Sequence, residues 1–254
     1  VTGHFTTKGS VSAPGTYAEL SPKGKAAVDK AMVDAGVTNE SLDAEVLRCL
    51  TPESLAAGAK EYPACHEFNA RIAQENGATL EEATACTAAL SPRNVWVQNQ
   101  RASERIMAHR DDKISTEQLG REQSGGMAAP GIKAAKLARG EVSPEEGLGS
   151  NAPKIRSFYN NMMFPGETNS VTVDMFLARL SNRASTLPKV RADELVINNP
   201  SATKFLSAAK ASTGGGAGHV VIGDSIRRVA ASTGAPLDSV RNAVWLVMKG
   251  DVTI

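Results

Sequence analysis

The sequence is short of aromatic rings, cysteine and net charge, and each shortage closes off a class of function. Two tryptophans, three tyrosines and six phenylalanines make up 4% of the 254 residues. Alanine is abundant instead, and small residues at that density favour closely packed helices over β-sheet. The three cysteines, Cys49, Cys65 and Cys86, form no CxxC pattern, so neither a zinc nor an iron–sulfur signature is present. An odd, sparse cysteine count fits a reducing cytoplasm. The formal net charge is +1, so nucleic-acid binding would need a local basic face rather than bulk charge. No apolar run reaches membrane-spanning length and no signal peptide is visible. The expectation is a soluble cytoplasmic protein, in the host cell if phage-encoded, with no membrane partner and no cofactor; its oligomeric state is left open.

What is there reads as helix almost throughout. Residues 1–20 are rich in glycine, serine and threonine without periodicity, and are expected to form an irregular arm pinned by Phe5 or Tyr17. Ser21-Pro22 is a cap followed by a first-turn proline, predicting a helix from Lys23 to Ala35 that Gly36 ends. Ser41 is the expected cap of a short helix from Leu42 to Leu50, and Thr51 with Ser54 restarts the pattern. Helices are predicted over Tyr62–Asn76 and over Leu80–Leu90. The second is capped by Thr79, carries Glu81 and Glu82 at its positive end, and is so dense in small residues that it reads as a central, buried helix. His66 stands alone among helical residues and reads as structural.

After the break at Leu90-Ser91-Pro92-Arg93-Asn94 a helix is predicted from Val95 to His109. Arg93, Arg101, Arg105 and Arg110 form either a solvated face or a phosphate-contacting edge. Asn94 and Asn99 suit a buried network or a pocket wall. Residues 111–131 read as a loop with one short helix, and residues 132–140 as a second short helix. Ser143-Pro144-Glu145-Glu146 is a capping signature cut off after one turn by Gly147 and Gly149.

Pro153 fits a helix start, and Lys154–Met162 continues it with Ile155, Phe158 and Tyr159 on the apolar face. Lysine in a first turn opposes the helix dipole. Pro165-Gly166 makes a turn, Val171-Thr172-Val173 is extended, and Asp174 reads as the cap of a helix that carries Phe176, Leu177 and Leu180 inward. Arg179 and Arg183 share one of its faces. Beyond Leu187-Pro188 comes a linker, a helix from Ser201 to Ala211, and the glycine-rich run at 212–218, which lacks the lysine and hydroxyl residue of a nucleotide loop. Two helices follow, Val220–Ser232 and one restarting after Gly234-Ala235-Pro236, with Trp245 in the core or a seam.

Leu148, the turn Gly149-Ser150-Asn151-Ala152, Lys154, and then Val173-Asp174 with Arg179 five residues on and Asn182-Arg183 after it, form a pattern. It resembles the helix-hairpin-helix DNA glycosylase superfamily, which includes the endonuclease III type of base-excision enzyme. Leu90-Ser91 matches the leucine-serine of that family's substrate-side helix. The runs SPRNVW, KIRSFYNN and VTVDMFLARL, in that order, also resemble uncharacterised proteins encoded by actinobacterial phages. Where the family's hairpin has glycine, a hydrophobe and glycine, this chain has Ser150, Asn151 and Ala152; where it has a histidine after the aspartate, this chain has Phe176.

The resemblance implies an all-α, glycosylase-like helical domain with a cleft: an irregular arm over 1–20, then one domain over 21–254 or two lobes, 21–75 with the carboxy-terminal helices and a glycosylase-like core at 76–185. It implies that Asp174 stabilises positive charge developing on the sugar. Lys154 would attack the anomeric carbon, which requires a lowered pKa, on a nucleotide flipped out of the duplex. DNA would be held by Ser150, Asn151, Ala152, Arg156, Arg179, Arg183 and Arg93, with Asn94, Asn99, Tyr159 and His219 lining the pocket. The expected partner is DNA. The rival expectation is a helix-hairpin-helix scaffold that binds DNA, or serves as a phage structural or interaction module, without catalysis; the altered hairpin and near-neutral charge favour it.

Overall fold

A computed structural model describes residues 9–13, 15–92, 94–186 and 216–253. The expected linker, the Ser201–Ala211 helix, Phe5, Arg93 and most of the glycine-rich run lie outside the described residues. Among these residues the chain is all-α, with no strand: α1 (Pro22–Ala35), α2 (Asn39–Arg48), α3 (Pro52–Glu75), α4 (Leu80–Ala89), α5 (Trp96–Ala108), α6 (Thr116–Gln123), α7 (Ala128–Ala138), α8 (Pro144–Gly147), α9 (Pro153–Met163), α10 (Met175–Ala184), α11 (Ala217–Thr233) and α12 (Leu237–Lys249). A short 3-10 turn, Tyr17–Glu19, precedes them.

Local capping chemistry starts most of these helices. Ser21 accepts from Gly24 N, with Pro22 opening α1, and Gly36 ends it at φ 63. Thr79 and Glu82 form a reciprocal box at α4, and Ser143 and Glu146 form one at α8; each supplies acceptors to amides that have no partner within the helix. Three expectations shift. The cap of α2 is Thr38, and Ser41 is the residue that reaches back to it. The helices expected on either side of Tyr62 are one helix, α3, which carries Pro63 in its interior. Helix α7 begins at Ala128, a turn before its expected start.

The chain divides into two compact units. The first comprises Val1–Ser12 and Tyr62–Thr168. Its centre is α4, in which every residue from Ala83 to Ala89 is buried. Helices α5, α7 and α9 pack around α4, and α6 packs on α7. Small side chains on α4 let its neighbours approach, and Tyr62, Ile72, Ile106, Leu137, Tyr159 and Met162 fill the spaces between. The amino-terminal segment docks here. Asn160 accepts from Val11 N at 2.9 Å and donates to Val11 O at 2.8 Å, pairing with that residue as a neighbouring strand would.

The second unit comprises Ala13–Glu61 and Asn169–Ile254. Helix α11 lies among α1, α2, α10 and α12. The core joins Val28, Leu42, Val46, Val173, Leu177, Leu180, Ile222, Ile226, Val240 and Val244, so the buried positions of each helix recur at three- and four-residue steps. Close approach replaces bulk at Gly58, where a Cβ would lie 2.6 Å from Ala243 N and Ser239 O of α12. Among the described residues no helix is long and apolar enough to cross a membrane.

Two glutamates tie elements together in the first unit and should show in its acid stability. For Glu145, burial pushes the carboxyl pKa up, but the Ser12 amide and the Arg156 guanidinium outweigh it and hold it below its ordinary value. For Glu82, burial again opposes, and Arg110 with the Thr79 amide prevails. A folded-state pKa below the unfolded one gives stability that is present above the unfolded value, about 4.3, and lost as pH falls through the folded one. The midpoint of urea unfolding should therefore drop below about pH 4.5. It should drop less steeply in Glu82→Gln/Glu145→Gln; equal pH slopes in the two proteins would rule these carboxylates out as contributors.

Candidate functional site

Asp174 sits at the amino terminus of α10, and the fold uses both of its oxygens. Oδ1 accepts from Phe176 N at 2.9 Å and Leu177 N at 3.1 Å. Oδ2 accepts from the Trp245 indole Nε1 at 3.0 Å. Trp245 meets Phe176 edge-on, with ring centroids 6.2 Å apart. Arg179 lies over the Phe176 ring at 4.8 Å and donates to Met248 O at 2.7 Å, at the end of α12. Arg241 and Lys249 flank the indole face. The carboxylate is thus the node of a half-buried aromatic and cationic cluster that fastens α10 to α12. The sequence gives the cap but not the tryptophan, which is 71 residues away.

Lys154 is in the first unit and Asp174 in the second. Lys154 is half-buried in the first turn of α9, with Nζ 3.5 Å from Ser91 O. The turn before it closes through Ala152 N to Gly149 O at 3.1 Å. Gly149 has φ +81, a left-handed conformation that glycine adopts without steric cost. Ser150 and Asn151 are exposed at the tip. Ala152 provides no side-chain cap to α9.

Arg156, expected on a DNA-contacting edge, is in the interior. It is 2% exposed. Its guanidinium donates to Ser12 O, to Glu145 O at 2.9 Å and to the Glu145 carboxylate. It clamps the amino-terminal segment and α8 to α9. Arg183 is half-buried and lines a cavity of about 260 Å³ with Val247, Gly250, Val252 and Thr253.

Of the expected pocket residues, Asn94, Asn99 and Tyr159 belong to the first unit and His219 to the second. Asn99 is interior and joins a polar network, donating to Thr87 O at 3.2 Å and accepting from Ser103 at 3.4 Å. Thr87 in turn donates to Asn69 at 2.8 Å. Tyr159 is fully buried and donates to Gly9 O at 3.1 Å; burial, with a smaller contribution from Glu81, pushes its phenol well above the usual range. Asn94 is half-buried, its Nδ2 without a hydrogen-bond partner among the described residues. His219 belongs to the second unit, in the first turn of α11 behind Gly216. The lone His66 bonds Met162 O through Nδ1 at 2.9 Å, as a structural histidine does.

Cys49, Cys65 and Cys86 are all free and buried. Burial pushes Cys49 up to about 11 and Cys86 up to about 12, so both stay protonated at neutral pH. No group of three or more His, Cys, Asp or Glu side chains among the described residues is placed to hold a metal ion.

Sequence reasoning passed over two cations beside the hairpin turn. Lys133 and Lys136 are three residues apart on α7 and line a cavity of about 280 Å³ with Val142, Glu146 and Gly147. The Lys133 ammonium is 3.5 Å from where a Cβ on Gly149 would lie. The signal was present as the spacing in IKAAKLA, but only the fold brings it to residue 149.

Residues 31–198 match the family of unknown function DUF7178, and the chain belongs to that family. No curated protein and no solved structure matches the chain.

Proposed function

We propose that this chain is a DNA-binding protein of the helix-hairpin-helix kind that grips the sugar-phosphate backbone at the α8–turn–α9 segment and does not act on the base. One observation carries the reading: the turn Gly149 to Ala152, with Ser150 and Asn151 exposed at its tip, opens directly onto the amino terminus of α9, where Ala152 makes no side-chain cap, and a lysine ammonium lies over Gly149. Amides at such a terminus, together with the helix dipole, favour a phosphate oxygen, and contacts of this sort position a protein without reading sequence. Asp174 supports the non-catalytic side, because three donors of the fold already occupy its two oxygens. Glycosylase chemistry is the competing proposal and rests on the Lys154 and Val173-Asp174 spacing.

Fluorescence anisotropy with labelled duplex and single-stranded oligonucleotides separates these readings when paired with borohydride trapping on abasic DNA. The expected result is salt-dependent binding, weakened by Ser150→Glu/Asn151→Asp, with no covalent adduct and no base release. Absence of binding at low salt to either form of DNA would end the proposal. An adduct lost in Lys154→Ala, or base release lost in Asp174→Asn, would replace it with the glycosylase reading.

A further inference from the structure

We infer that Lys133 and Lys136 of α7 form a second seat for a backbone phosphodiester, contiguous with the hairpin turn; this rests on the DNA-binding reading above. The two lysines are three residues apart on α7 and line the same cavity. Like charges at this spacing repel, and neither lysine has an ion pair or hydrogen bond among the described residues. Three arginines of the same unit are matched instead: Arg71 to Glu75 and Glu104, Arg110 to Glu82, Arg156 to Glu145. Two lysines without an ion pair, facing a concavity, are an arrangement that an external anion completes.

The walls narrow the chemistry of that anion. Ile132 and Val142 line the cavity beside the lysines, an apolar surface that suits the carbons of a deoxyribose rather than a free hydrated ion. Glu146 also lines it. Its Oε2 accepts from the Ser143 hydroxyl at 3.1 Å and from Ser143 N at 3.4 Å, so the carboxylate is held in place by the α8 cap. Two lysines and one glutamate leave the seat singly positive. That charge balances a phosphodiester better than the dianion of a terminal phosphate. The Lys133 ammonium beside Gly149 joins the seat to the turn, so consecutive phosphates of one strand can meet the turn amides and the lysine pair.

The test uses the full chain and a labelled duplex, with affinity measured against salt. Lys133→Gln/Lys136→Gln should weaken binding at low salt and make the log–log salt slope shallower by about 0.9, the contribution of the one phosphodiester that the seat neutralises. Lys60→Gln/Lys113→Gln, which removes two exposed lysines elsewhere, should leave the slope unchanged. Circular dichroism melts of both variants should match the wild type. If the wild type binds DNA and the α7 variant keeps its slope, or the control loses as much, the second seat is wrong while the DNA-binding reading stands. If the wild type does not bind, both fall. A preference for 5′-phosphorylated over unphosphorylated duplex that disappears in the α7 variant would replace the phosphodiester with a terminal phosphate.

Discussion

Gly131→Ala should destabilise the unit built on Tyr62–Thr168 by about 3 kcal/mol or more, at or above the top of the range usual for overpacking. The reason is a contact between two backbones. A Cβ at residue 131 would lie 2.3 Å from Gly120 O and 2.4 Å from Ser124 Cβ. The reciprocal Cβ at Gly120 would lie 2.4 Å from Ile132 N and 2.5 Å from Ile132 Cα. Helices α6 and α7 therefore cross glycine against glycine, and no flexible side chain is available to move aside. Helix propensity argues the other way: alanine for glycine inside a helix is worth about 1 kcal/mol. The sign of the change decides between them. Urea unfolding should show a lower midpoint for Gly131→Ala and for Gly120→Ala, and amide exchange in α6 should accelerate; a gain in stability in both variants would mean that the helices separate without cost. The effect should reach the proposed phosphate seat, because Lys133 and Lys136 follow Gly131 on the same helix.

This junction marks where the sequence stops being informative. Caps are local, so Thr79 with Glu82, Ser143 with Glu146, and Asp174 could all be read from spacing alone, and so could the buried, alanine-rich α4. Within a few residues the local rules already compete. Thr38 and Ser41 are both good caps, and the structure uses both, one as cap and one as its reciprocal partner. Two helices are expected on either side of Tyr62, but α3 runs through both and through Pro63. Longer range is harder still. The resemblance puts Arg156 on a DNA-contacting edge, yet one of its acceptors, Ser12 O, is 144 residues away. Gly120 and Gly131 look like helix-weakening residues until each is placed against the other. The candidate site divides in the same way. The turn at Gly149–Ala152 and the cap at Asp174 were legible, while the lysines beside the one and the tryptophan bonded to the other required the fold.

Asp174→Ala should cost about 2–4 kcal/mol, summing about 1 for a lost amino-terminal cap and about 1–3 for a buried donor left unsatisfied. The lower part of that range is expected, since Trp245 is only half-buried and water can replace part of the lost bond. Asp174→Asn separates the two contributions. Asparagine caps as well as aspartate, so its Oδ1 can still accept from Phe176 N and Leu177 N. Its amide group, however, turns a donor toward Trp245 Nε1, where the carboxylate had accepted. The asparagine variant should therefore retain the cap and lose only the indole bond, falling between wild type and Asp174→Ala in denaturant midpoint. Trp245→Phe removes the opposing donor, so adding it to Asp174→Asn should cost less than the sum of the two single changes. A carboxylate retained for chemistry predicts a different pattern: Asp174→Asn nearly as stable as wild type, no coupling to Trp245, and an activity lost without loss of fold. The order wild type, Asn, Ala in stability, with coupling to Trp245, would identify Asp174 as the fastener of α10 to α12.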